Sequence, residues 1–168
     1  METIEAVNAV VAKLERRVAV LEAKEQVQRR MYRWARYLDE VERTADPEVC
    51  RRMLDDMAAP GLCFKMSTVG FGDWGPDPED IVERFTSFSE GVEYAYHYYH
   101  HGEIDVDLDA GTAHFYTGHE CVPLKLGGEG KWLFLVQNSD WKLIDGKWRI
   151  VCYELTEGRL VKADGSDW

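Results

Sequence analysis

The order of predicted elements makes this chain an α+β protein, a cone-shaped barrel whose curved mixed or antiparallel sheet is closed by N-terminal helices. Three observations predict this class. Apolar residues recur at helical spacing to about residue 43, helix-start signals follow, and from Glu93 onward the pattern alternates as in strands. Such a cone leaves a pocket between helices and sheet, where a small molecule can bind.

Composition narrows the classes of function. The chain has 168 residues, enough for one domain with a hydrophobic core. Its formal net charge of −11 argues against binding nucleic acid, and its apolar runs are too short to cross a membrane. The first residues carry acid where a signal peptide carries base, so we expect a cytoplasmic protein. The four cysteines form no Cys-x-x-Cys pair and are expected to be buried thiols.

The first half of the leading helix carries a heptad seam of apolar residues. The seam consists of Ile4, Val7, Val11, Leu14, Val18 and Leu21. It is short for an independent coiled coil, so we expect it to pack on a partner subunit or on its own domain. We divide the chain into a helical arm at 1–22, a barrel domain at 23–160 and a tail at 161–168, and we expect a homodimer or homotrimer.

Asp39 follows a second apolar stripe on the same helix. The stripe consists of Val27, Met31, Trp34, Ala35 and Leu38. Asp39 lies four residues after Ala35, and therefore on or beside the buried face. A carboxylate there is costly unless it is paired, hydrogen-bonded or used in chemistry. The alternative is that it ends the helix and reaches solvent.

Two further helices share one start signal, an aspartate N-cap followed by proline and glutamate. The first signal, at 46–48, begins a helix that we expect to run toward Ala59, where Pro60 and Gly61 stop it. The second, at 77–79, begins a short helix through Phe85.

The remaining segments predict the sheet. A strand at 62–67 and a loop at 70–76 lie between the two short helices. Hairpin turns are expected at 109–111, 127–130 and 145–146. The later strands are predicted at about 93–101, 103–108, 112–123, 131–143 and 147–155.

The stretch 94–101 contains four tyrosines and three of the five histidines. On a strand, successive side chains point to opposite faces. One face would carry Tyr94, Tyr96, Tyr98 and His100, and the other Ala95, His97, Tyr99 and His101. One interpretation is an aromatic strand that packs a core, with histidines at its solvent end.

The other interpretation of this stretch is catalytic. A histidine that faces the pocket and pairs with a carboxylate is a general base, and Asp39 could orient His97 in this way. A tyrosine hydroxyl can donate a hydrogen bond to a substrate carbonyl. Tyr37, Tyr96 and Tyr99 are the candidates for that role.

Several motifs, in this order, resemble one known family. They are the segment from Tyr32 to Asp39, a histidine shortly before 103–107, the pair at 112–113, and the segment 142–150. From about residue 20 to 157, the chain is similar to the SnoaL-like branch of the nuclear transport factor 2-like superfamily. Its layout is most similar to those of scytalone dehydratase and bile-acid dehydratase.

The resemblance implies a cofactor-independent lyase with a histidine–aspartate dyad. Asp39 matches the aspartate at the end of the first long helix, and His97 matches the strand histidine. His119 matches an acid–base residue on the next long strand, and Tyr99 completes the predicted catalytic set. We expect a hydrophobic aromatic substrate that loses water, or a small fragment such as formaldehyde by a retro-aldol reaction. The predicted substrate-binding residues are Trp34, Tyr37, Phe64, Trp74, Tyr96 and Cys121.

Two alternatives stay open at this stage. The histidines could bind a metal, but His97 and His100 should face opposite sides of a regular strand, so we expect no metal and no cofactor. The fold also occurs in noncatalytic proteins. The second hypothesis is therefore a ligand-binding or oligomer-forming subunit similar to the small subunits of ring-hydroxylating dioxygenases.

Overall fold

The computed structural model describes residues 2–122, 124–125 and 131–162. The helices are α1 (Glu2–Thr44), α2 (Pro47–Met57) and α3 (Pro78–Ser89), with a 3₁₀ turn at Ser67–Val69. The strands are β1 (Ala58–Lys65), β2 (Val92–Tyr94), β3 (His97–Tyr99), β4 (Glu103–Asp107), β5 (Thr112–Cys121), β6 (Leu124–Lys125), β7 (Lys131–Ile144) and β8 (Lys147–Lys162). None of the helices in these segments is apolar enough over its length to span a membrane.

The main sheet is mixed, and the prediction of an α+β fold is confirmed. Its strand order is β1-β8-β7-β5-β3, and β4 also pairs with β5. β1 runs parallel to β8, whereas the other pairs in this sheet are antiparallel. β2 and β6 form a separate two-stranded sheet.

The second half of α1 supplies the helical side of the core. Its buried residues repeat at spacings of three and four, which places them on one face of the helix. They are Val27, Met31, Trp34, Leu38 and Val41, each at most 4% exposed. This face lies over the sheet, so the C-terminal end of α1 comes close to the inner surface of the strands.

The first half of α1 continues without a break but leaves its seam in solvent. The six seam residues are 45–67% exposed. The guanidinium of Arg16 donates two hydrogen bonds to the carboxylate of Asp109, at 3.1 and 2.6 Å. The arm therefore contacts the β4–β5 turn through the ion pair of Arg16 and Asp109, while its apolar seam is exposed to solvent.

The boundary between α2 and β1 differs from the prediction. The helix ends at Met57, and Pro60 and Gly61, expected to separate helix from strand, lie within β1. The register of β1 on β8 shifts between Ala58 and Cys63, and Gly61 has a φ of 80°. An edge strand tolerates a proline at such an irregularity because its outer side needs no N–H donor.

Three strand predictions also need correction. The single strand expected at 93–101 is divided into β2 and β3, because β2 pairs with β6 whereas β3 pairs with β5. β6 was not predicted, and β8 continues to Lys162 instead of ending near residue 155. The turn expected at 127–130 and the tail after residue 162 lie outside the described residues.

Candidate active site

His97 and Asp39 meet at the junction of α1 and β3. The Nδ1 atom of His97 lies 2.9 Å from Oδ1 of Asp39, and the backbone N–H of His97 donates to the same oxygen at 2.8 Å. A carboxylate oxygen can only accept, so Nδ1 carries the proton in this contact. The carboxylate is thereby fixed to the strand and in turn fixes the tautomer and orientation of the imidazole.

The other nitrogen of His97 faces two groups that the sequence did not mark as its partners. Nε2 lies 3.3 Å from Oε1 of Glu42 and 3.2 Å from Sγ of Cys121. The side chains of His97 and Glu42 are 4% and 6% exposed, against 24% for Asp39. His97 thus lies between two carboxylates of α1 in a site almost closed to solvent.

These neighbours determine the preferred charge of His97. Burial lowers its pKa, but the charge of Glu42, the Cys121 group and the hydrogen bond to Asp39 outweigh burial, so the pKa lies well above the usual range. Burial also raises the pKa of Cys121 despite the opposing influence of His97. His97 therefore favours the protonated form while Cys121 favours the neutral thiol.

His119 belongs to a second, adjoining group of side chains. Its ring stacks on that of Tyr99 with centroids 4.3 Å apart, and lies 5.2 Å from the ring of His97. Its Nδ1 is 3.3 Å from the hydroxyl of Tyr153, which is 2.8 Å from the hydroxyl of Tyr99. Burial, followed by the charge of His97, lowers the pKa of His119 well below its usual range, so this imidazole is neutral.

The direction of this hydrogen-bond chain defines the tautomer of His119. If Tyr99 donates to Tyr153 and Tyr153 donates to Nδ1, the proton of the neutral imidazole lies on Nε2. That atom is buried and has no hydrogen-bond partner among the described residues. In that arrangement His119 presents an unpartnered donor beside His97; with the opposite direction of the chain, Nδ1 donates to Tyr153 and Nε2 is an unpartnered acceptor.

The strand parity around His97 agrees with the sequence analysis up to Tyr99. Ala95 and Tyr99 are 5% and 7% exposed, whereas Tyr94, Tyr96 and Tyr98 are 45%, 41% and 54% exposed. The predicted role of Tyr96 in substrate binding is not supported, because its ring packs against Tyr94 and Tyr98 on the outer face.

The other histidines lie away from this site. His100 Nε2 is 2.9 Å from Glu120, and His114 Nδ1 is 2.8 Å from Asp140, both in exposed contacts. His101 was expected on the same face as His97, but it lies beyond the end of β3 and contacts Gln28 at the surface. The regular alternation of faces ends with the strand.

Three of the aromatic residues predicted to bind substrate form a cluster in the core. Trp34, Phe64 and Trp74 are 0%, 1% and 8% exposed. The ring of Phe64 lies 6.0 Å from Trp34 and 5.6 Å from Tyr153. The cluster thus adjoins the Tyr153–His119 chain. The hydroxyl of Tyr37 lies 3.4 Å from Asp56 on α2, outside the group around His97.

Glu42, Tyr153 and Gln137 are site residues that sequence reasoning missed. Glu42 follows Asp39 by three residues and Leu38 by four, so helical periodicity could have placed it on the same face. Gln137 is fully buried on β7, and both atoms of its amide lack a partner among the described residues. Only the strand register, which pairs Gln137 with Thr117 on β5, reveals its inward position.

Comparison with known proteins gives a result at the level of the fold. No protein-family model matches the sequence, and no curated protein matches it. A solved structure of a proposed aromatic ring hydroxylase from Novosphingobium aromaticivorans has a TM-score of 0.71 at 15% identity, covering 85% of this chain and 94% of that one.

Two further solved structures are similar. The type 2 hexachlorocyclohexane dehydrochlorinase LinA has a TM-score of 0.66 at 12% identity, covering 85% of this chain and 91% of that one. A proposed dehydratase of the nuclear transport factor 2-like family from Streptomyces avermitilis has a TM-score of 0.59 at 13% identity, covering 78% and 92%. The cone-shaped arrangement of helices over a curved sheet is therefore the nuclear transport factor 2-like fold, which this protein shares with lyase-type enzymes.

Proposed function

We propose that the protein is a cofactor-independent lyase in which His97, oriented by Asp39, transfers protons to and from a hydrophobic aromatic small molecule. The observation that carries this proposal is the partly buried contact of 2.9 Å between His97 Nδ1 and Asp39 Oδ1. Because Asp39 holds Nδ1, proton transfer is restricted to Nε2, and the carboxylate stabilises the imidazolium that forms.

Glu42 extends the dyad to a unit of two carboxylates and one imidazole. Its Oε1 lies 3.3 Å from Nε2, so a proton held by His97 can be shared with Glu42. When substrate approaches, the resting imidazolium first passes its Nε2 proton to Glu42. The neutral imidazole then accepts a proton from a C–H or O–H group of the substrate and later returns one to the departing fragment. The preference of His97 for the protonated form makes it a strong base once neutral and an effective proton carrier afterwards.

His119 supplies the complementary electrophile in this proposal. Its buried Nε2 has no partner among the described residues, the ring lies beside that of His97, and the proposal places the proton of the neutral imidazole on this atom. A donor of this kind stabilises the negative charge that develops on a substrate oxygen during elimination or retro-aldol cleavage. The buried amide of Gln137, which has no hydrogen-bond partner among the described residues, is a further group to which a substrate could hydrogen-bond.

A single probe, β-hydroxypropiophenone, separates the possible reactions. Abstraction of its α-proton with loss of water gives phenyl vinyl ketone, whereas deprotonation of its hydroxyl gives acetophenone and formaldehyde by retro-aldol cleavage. We expect the purified wild-type protein to form one of these product sets without added cofactor, as measured by chromatography and a formaldehyde assay.

The matched variants are His97→Gln and His100→Gln. Loss of general acid–base catalysis reduces rates by about 10²–10⁴-fold, so we expect His97→Gln to lose turnover by that factor. His100→Gln should keep wild-type turnover, because the side chain of His100 contacts Glu120 in an exposed position and has no part in the proposed mechanism. Equal turnover by both variants, with matching circular dichroism, would contradict the proposal and favour the noncatalytic alternative.

A further inference from the structure

Three potential metal ligands converge on one point inside the site. They are a carboxylate oxygen of Glu42, Nε2 of His97 and Sγ of Cys121, and these atoms all lie within 4.8 Å of one another. Nε2 is 3.3 Å from Glu42 Oε1 and 3.2 Å from Cys121 Sγ. The three side chains come from α1, β3 and β5, so the folded protein alone creates the cluster.

These separations resemble those between ligands of a tetrahedral zinc ion. Zinc bonds of about 2.0–2.2 Å to nitrogen and oxygen and about 2.3 Å to sulfur place neighbouring ligand atoms roughly 3.3–3.6 Å apart. The observed contacts of 3.3 and 3.2 Å from Nε2 fall close to that range. The third pair, the Glu42 oxygen and Cys121 Sγ, lies within 4.8 Å, so binding requires side-chain adjustments that bring all three atoms to bonding distance.

The surroundings of the cluster match those of a metal ligand set. Asp39 accepts the Nδ1–H bond of His97 at 2.9 Å. A carboxylate at this position orients a metal-binding histidine and increases the basicity of its other nitrogen. Oε2 of Glu42 is buried and has no hydrogen-bond partner among the described residues. A cation would satisfy this oxygen, which the contacts with His97 and Cys121 leave unpaired.

We propose that Glu42, His97 and Cys121 bind a thiophilic divalent cation such as Zn²⁺, with a fourth coordination position left open. Bonds form from the cation to Oε, Nε2 and Sγ, and the thiol proton of Cys121 and any proton on Nε2 pass to solvent. Carboxylate, imidazole and thiolate are ligands that zinc accepts in proteins. The inference rests on the donor geometry and not on the proposed lyase activity. A cation bound at Nε2 excludes proton transfer there, so the cation-bound protein is the inactive form of the proposed lyase and the metal-free protein is the active one.

The test uses Co²⁺ as a spectroscopic probe of the chelator-treated full-length protein without substrate. We expect one equivalent of Co²⁺ to bind and to produce a thiolate-to-cobalt charge-transfer band, which one equivalent of Zn²⁺ then removes. Absence of the band at millimolar Co²⁺ would overturn the proposal. Because no substrate is present, this outcome is distinct from any failure of the lyase proposal.

Matched variants locate the ligands. Cys121→Ser should abolish the charge-transfer band, whereas Cys50→Ser, which alters another buried thiol, should keep it. Asp39→Asn should weaken Zn²⁺ binding by about 10–100-fold through loss of its support of His97, while Glu40→Gln should leave the affinity unchanged. Retention of the band in a folded Cys121→Ser protein would overturn the assignment of the site.

Discussion

Among single residues, Tyr153 is central to the arrangement of the polar interior. Its buried hydroxyl lies 2.8 Å from the hydroxyl of Tyr99 and 3.3 Å from Nδ1 of His119. Burial raises the pKa of Tyr153, so its hydroxyl stays protonated and can act as a donor. One side chain therefore links Tyr99 to His119 through two buried polar contacts.

Replacement of Tyr153 by phenylalanine tests this arrangement. Tyr153→Phe leaves two buried polar groups without their partner, and we expect a loss of about 1–3 kcal/mol in the free energy of unfolding. The control is Tyr96→Phe, whose hydroxyl belongs to an exposed side chain and whose loss should change stability by less than about 0.5 kcal/mol. Urea denaturation measures the free energy of unfolding of both variants. Equal denaturation midpoints would show that the hydrogen bonds of Tyr153 do not stabilise the protein.

The sequence predicts individual site residues where a regular period determines their direction. Strand parity places His97 and Tyr99 on the face opposite Tyr96, and helical spacing places Asp39 beside the buried stripe. Tyr153 and Gln137 could not be predicted, because their roles depend on which strands pair and in which register. Trp34, Phe64 and Trp74, predicted to bind substrate, are buried, but the sequence of a buried aromatic residue does not indicate whether it contacts other rings or a substrate.

At the scale of elements, the first half of α1 is notable because its apolar seam is exposed to solvent in a single chain. β-branched residues at Ile4, Val11 and Val18, with Leu14 and Leu21 at the alternate seam positions, favour a parallel two-stranded coiled coil. The flanking charges agree with this orientation, because Arg17 of one helix would face Glu22 of another. An antiparallel pair brings g positions opposite g positions and e opposite e, so it does not pair Arg17 with Glu22.

The arm therefore predicts association of two chains. We expect the wild-type protein to behave as a dimer in sedimentation equilibrium, and Leu14→Asp, which introduces a charge into the seam, to behave as a monomer. Ala12→Asp makes the same change of one charge unit outside the seam and should still sediment as a dimer. A monomeric wild-type protein, or equal association in the two variants, would contradict this role of the arm.

Element boundaries were less predictable than the elements themselves. The aspartate–proline–glutamate signals locate the starts of α2 and α3, with N-caps at Asp46 and Asp77. Pro60 and Gly61 predict a helix stop, but they lie within the edge strand β1, which pairs in parallel with β8. The division of 93–101 likewise follows from a change of pairing partner, which local sequence does not encode.

At the scale of the whole molecule, the fold brings together groups far apart in sequence. Asp39 and Glu42 come from the end of α1, His97 from β3 and Cys121 from β5. The sheet order places β3 directly beside β5, where His97 pairs with Cys121 in register. The nuclear transport factor 2-like fold thus encloses a histidine between carboxylates and a thiol, and α1 covers the sheet at that position.

The turnover of Asp39→Asn tests the central claim most directly, with Glu40→Gln as the matched control on the same helix. An asparagine cannot accept the Nδ1–H bond as a carboxylate does, so kcat/KM for β-hydroxypropiophenone should fall by about 10²–10⁴-fold with the fold preserved. Glu40→Gln should retain wild-type kcat/KM. Equal kcat/KM values for Asp39→Asn and the wild-type protein would contradict the claim that the Asp39–His97 pair carries the chemistry.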